Sequence, residues 1–183
     1  MKQAILFTVC FLAGMANAQT TKPPVPDVLN DIRYYHQSGN SLKPLEKTTA
    51  KYVTKAKAMG YGGVSINFVL EGKESSIRLP SSDRMTFIVA LGEGIGDPTG
   101  WFTLYRATVK KGKRSGNFGD YKVFGKSSGN KEVISYSVKA LGHQVYEIIP
   151  DSKLDKGEYF FANKGSLSKY GNTAADVFAF GID

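Results

Sequence analysis

Val64, Ile66, Phe68 and Leu70 alternate with Ser65, Asn67 and Val69. This period of two places the first set on one face of a strand and the second on the other. The spacing does not build the single apolar stripe of a helix. Comparable runs recur along the chain. Ile32–His36 is rich in aromatic residues and stops at the turn cluster Ser38-Gly39-Asn40. Met85–Leu91 is almost wholly apolar, as expected of a central strand buried on both faces. Trp101–Val109, Gly157–Ala162 and Ala175–Ile182 read the same way, with shorter strands at Ser76–Leu79 and Tyr121–Phe124. Val133–Val138 and Gln144–Ile149 form an expected pair, joined by Lys139–His143. Residues 45–58 are compatible with a short helix through their alanines and lysines. Strand is preferred there because the neighbours are strands.

Roughly eight to ten strands with turn signals about every 8–12 residues describe an all-β domain. The expected architecture is a single antiparallel β-sandwich over 31–183 with little helix, and a β-barrel is the alternative. Gly60-Tyr61-Gly62-Gly63 breaks the strand pattern, and Glu71-Gly72-Lys73 and Lys110–Gly116 read as turns.

The N-terminus has a different character. Met1-Lys2 is a short basic start, Ala4–Gly14 is apolar, and Ala16-Asn17-Ala18 is a small-x-small stop. This is the layout of a secretory signal peptide with cleavage expected after Ala18. The apolar run is far below the roughly 20 residues of a membrane span, so no transmembrane span is expected in the mature chain. The product is expected in the periplasm, at the cell surface or outside the cell. Residues 19–30 carry Pro23, Pro24 and Pro26 and read as a flexible, extended N-terminal segment.

Export would also remove Cys10, the one cysteine. The mature chain then has no disulfide, no thiolate ligand and no cysteine nucleophile, and packing alone must hold it. Losing Lys2 leaves 23 basic against 16 acidic residues, a net charge of 23 − 16 = +7. A basic exported protein can meet acidic polysaccharide or phospholipid headgroups, although charge also serves plain solubility.

Motifs for small-molecule chemistry fail on context. Gly92–Gly100 is glycine-rich, but a dinucleotide loop must lead into a helix, and a strand is expected next. Gly125-Lys126-Ser127 resembles the end of a phosphate loop, yet Asp120 stands where its first glycine belongs. Asp151–Gly157 has calcium-type residues at the wrong spacing, with Lys153 in a ligand position. His36 and His143 are the only histidines. They are too few for a histidine zinc site without thiolates, and a serine triad would need one of them beside a positioned serine and carboxylate. No catalytic residue, metal site or cofactor is expected.

The remaining signal is a basic cluster next to aromatic residues. Arg106, Lys110, Lys111, Lys113 and Arg114 follow Trp101 and Tyr105. Cations beside aromatic rings can hold an anionic ligand, whereas the plain alternative is a solvated hairpin turn after a core strand. These seven residues are the candidate ligand site.

The segment Val69–Leu79, then Phe87-Ile88-Val89, Asp97-Pro98, Leu104-Tyr105, the Lys110–Arg114 cluster, Leu154–Tyr159 and the closing Phe180-Gly181-Ile182-Asp183 together resemble small secreted β-domain proteins of Gram-negative bacteria. The resemblance spans roughly residues 30–183 and implies export and a β-domain, but no activity and no functional residue. The reading that follows is a non-enzymatic binding or structural module of the cell envelope. Its alternatives are a small secreted hydrolase of polysaccharide or peptide, and a binder of anionic glycan or lipid through the 106–114 turn. Candidate partners are an anionic glycan, a lipid headgroup or another envelope protein, with no specific nucleic acid.

Overall fold

The computed structural model describes residues 22–56, 63–121, 132–167, 169 and 171–183. The expected export signal over 1–18 lies outside them. The regular structure of the described residues is almost all strand, with one short α-helix, α1 (Pro98–Trp101), capped by the Asp97 carboxylate accepting from Thr99 N at 2.6 Å, and two single 3-10 turns.

Six strands close into a barrel. They are β3 (Glu46–Ala56), β4 (Val64–Glu71), β7 (Phe102–Lys110), β8 (Lys113–Tyr121), β12 (Gly157–Asn163) and β13 (Ala174–Ile182). Around the ring the order is β12, β13, β3, β4, β8, β7, and β7 pairs back onto β12 with Phe160 opposite Tyr105. Beside it lies a five-stranded sheet: β10 (Tyr136–Gly142), β11 (Val145–Pro150), β6 (Phe87–Ala90), β1 (Ile32–His36) and β2 (Ser41–Pro44), in that order. Two short strands complete the set. β5 (Arg78–Leu79) runs parallel to the end of β13, and β9 (Val133–Ile134) pairs with β7.

The all-β expectation holds, and the expected barrel alternative is realised as the closed ring. The layered packing expected of a sandwich is also present, between the five-stranded sheet and the barrel wall. Phe161, Phe178 and Phe180 project outward from the barrel onto Phe87, Val89 and Ile32 of the sheet. Phe87 sits 5.1 Å from Phe161 and 5.2 Å from Phe180, ring centre to ring centre. Residues on the other face of the same barrel strands fill the interior: Phe68, Leu70, Tyr105, Phe160 and Val177, with the alanines at 50, 162, 175 and 179 making space for the rings. β12 and β13 are therefore buried on both faces, which is why they read as unbroken apolar runs. A third cluster, Tyr35, Ile88, Ala90 and Val145, lies on the far face of the five-stranded sheet.

Residues 46–56 are a strand, as preferred from the sequence. The basic stretch is not a broad turn, however. Strand β8 begins at Lys113, and the turn is only Lys111-Gly112, with φ of 51° and 74°. Paired left-handed residues give the two-residue hairpin turn whose twist suits the strands. β10 and β11 pair as expected through a similarly tight turn, His143-Gln144, rather than the longer Lys139–His143 link. The expected strand Tyr121–Phe124 lies outside the described residues beyond Tyr121. In the proline segment, Pro26 is buried and Asn30 N donates to Ala90 O at 2.7 Å, so the end of that segment is docked.

Candidate functional site

The β7–β8 hairpin sets the geometry. Thr108 faces Ser115, Val109 faces Arg114, and Lys110 faces Lys113 across the two strands. Alternation sends Thr108, Ser115, Lys110 and Lys113 to the outer surface and turns Arg114 inward.

Arg114 is 1% exposed. Its Nη2 donates to Glu46 Oε1 at 2.8 Å and to Glu71 O at 3.2 Å, and its Nε donates to Gly72 O at 3.3 Å. Glu158 Oε2 lies 3.9 Å from Arg114 Nη1 and accepts from Ser75 N at 2.7 Å. Arg78 pairs with the other Glu158 oxygen and donates to Asp183 Oδ1 at 2.7 Å. Gly181 leaves the space that the Arg78 guanidinium occupies. These charges plug one end of the barrel. Burial pushes the Glu46 carboxyl up, but hydrogen bonds from Arg114, Ser75 and Ser76 outweigh it and leave the group below its ordinary value. Asp183 and Glu158 drive the Arg78 guanidinium further above its ordinary range.

The seven residues singled out from the sequence therefore fall in five places. Arg114 is inside the charged plug. Tyr105 is in the barrel core, stacked on Phe160 at 5.1 Å, and burial pushes its phenol up to about 12. Trp101 lies at the far end of β7, over Gly165. Arg106 is exposed on the outer face, its Nη2 donating to Lys156 O at 3.3 Å and its Nη1 3.8 Å from Asp155. Only Lys110, Lys111 and Lys113 stand together. The aromatic-plus-cation platform that adjacency in sequence suggested does not form, because neighbours on one strand point to opposite faces.

The three lysines instead meet a fourth that sequence spacing does not connect to them. Lys55 of β3 joins Lys110, Lys111 and Lys113 around a cleft of about 390 Å³ with Val69, Thr108 and Ser115 in its wall. Lys113 donates to Glu71 Oε1 at 2.9 Å, and that contact holds the Glu71 carboxyl below its ordinary value. Among the described residues, no carboxylate pairs with Lys55, Lys110 or Lys111. A signal for Lys55 existed in the sequence, since Lys51 and Lys55 share one face of a strand. Their meeting with the hairpin depends on the order β3-β4-β8-β7, which sequence does not display.

A larger depression, about 550 Å³, lies by the charged plug. There Lys73, Arg78 and Lys156 are balanced by Glu74, Glu158 and Asp183, so no sign of charge is favoured.

No family model, curated protein or solved structure matches this chain. Function must be argued from the side chains themselves. His36 Nε2 lies 3.1 Å from Ser38 Oγ, but the pair sits on an exposed turn. No carboxylate bonds to His36 among the described residues, so the third member of a triad is missing there. The described residues contain no group of histidine, cysteine and carboxylate able to hold a metal ion. None of their helices is long and apolar enough to cross a membrane.

Proposed function

We propose that this chain is an exported, non-enzymatic binding module of the cell envelope that holds an anionic ligand in the lysine-walled cleft. One observation carries the reading. Lysines from β3 and from the β7–β8 hairpin converge on a single concavity, and Lys55, Lys110 and Lys111 are left without a carboxylate among the described residues. Gathering like charges is unfavourable unless something anionic answers them. The secretory layout of residues 1–18 and the resemblance to secreted β-domain proteins support the exported part of the reading.

The test is heparin affinity of the purified protein across a salt series. Binding should weaken steeply with salt, and the triple variant Lys55→Gln, Lys110→Gln, Lys111→Gln should elute at markedly lower salt with its thermal midpoint unchanged. Arg106→Gln should elute close to the wild type, because Arg106 is engaged away from the cleft by Lys156 and Asp155. Unchanged elution of the triple variant sinks the proposal.

A further inference from the structure

The cleft has two banks, and resting on the reading above, we infer that its ligand is a linear acidic polysaccharide lying across the strands. The cross-strand register defines a row of outward residues, Lys51–Val69–Ser115–Thr108, running from β3 through β4 and β8 to β7. Lys51 and Lys55 stand on the β3 bank, and Lys110 and Lys111 on the hairpin bank. Three interstrand steps separate them, about 14 Å at the usual strand spacing. One anionic group can satisfy only one bank. A chain carrying a charge on successive units satisfies both.

The carboxylates on this face set the direction. Glu71 borders the row on one side, held by Lys113. Glu132 borders it on the other, accepting from Thr108 Oγ1 at 2.7 Å. Both repel a polyanion that runs along the strands and leave the path across them open.

Other anionic partners fit less well. Tyr52, Phe68, Tyr105 and Phe118, the aromatic residues of these four strands nearest the cleft, face the barrel interior. No ring among the described side chains at the cleft is left to stack a base, as single-stranded nucleic acid requires. A bilayer is flat and reaches the rim lysines only, and among the described residues that line the cleft Val69, half-buried, is the one apolar side chain.

Calorimetric titration with alginate oligosaccharides of graded length tests the inference, with phosphatidylglycerol vesicles as a second arm. Affinity should climb with length until the chain spans both banks and then level off. Lys51→Gln, at a lysine outside the cleft wall, should cost about fivefold on the long oligomers and leave the weak binding of the disaccharide unchanged. Equal affinity for disaccharide and long chain, or no loss in Lys51→Gln, overturns the two-bank ligand while the single-cleft reading stands. Tight vesicle binding without alginate binding overturns it in favour of a membrane. Failure of every anionic probe removes the cleft reading itself.

Discussion

Arg114 on β8 reaches past β4 to Glu46 on β3, 2.8 Å from nitrogen to oxygen, and so ties together two strands that never pair. Its other donors hold the Glu71 and Gly72 carbonyls at the end of β4. One guanidinium thus fixes three consecutive barrel strands, and the lysine-bearing hairpin is anchored from inside.

Arg114→Met should therefore be costly. Removing one partner of a buried pair leaves the other uncompensated, for a loss of about 3 kcal/mol. Adding Glu46→Leu should restore part of it. Denaturant unfolding of wild type, single and double variants checks this, and a double variant no more stable than the single would show that the pair is not the reason.

Glu46 also predicts acid sensitivity. Its folded carboxyl is held below the ordinary 4.5, so its stabilisation is complete above that value and is lost as pH falls through the lowered one. Between about pH 5 and about pH 3 the wild type should lose stability more steeply than Glu46→Gln. Thermal midpoints across that range decide it.

Alkali acts through Tyr105. In the unfolded chain a tyrosine ionises near 10, whereas burial holds the folded Tyr105 proton until about 12. The folded state binds the extra proton in that interval, so stability falls as pH rises through it. Tyr105→Phe should show a shallower decline, measured by urea midpoints from about pH 9 to about pH 12.

Trp101 is the sole tryptophan and lies against Gly165, where an added Cβ would collide with its ring. Gly165→Val should displace the indole into water, shift its emission to the red and cost about 1–3 kcal/mol. An unshifted spectrum would mean that the ring does not rest on this glycine.

The strands whose two faces differ, or which are buried on both, are the ones that sequence makes legible. β4 shows its alternation openly and β6 its continuous burial. β8 is hidden because its inward positions are Arg114, Gly116 and Phe118, in place of a regular apolar series. Gly116 is needed there because a Cβ would lie 2.6 Å from the Phe160 ring. The closure of β7 on β12 leaves no local mark, since it joins segments far apart in the chain. The candidate site was half legible for the same reason. Lys110, Lys111 and Lys113 announce themselves as a cluster, while Arg114 and Tyr105 carry the same residue types into the interior, and Lys55 arrives only through the fold.

The ring has a consequence for the timing of assembly. Its last strand in chain order, β13, is also the one that docks against its first, β3. A chain emerging N-terminus first cannot seal the cylinder until Ile182 is through, and until then β3 and β12 keep open edges. Contacts this remote in sequence make for slow folding. Closing the ring is therefore the last step that the order of its strands allows.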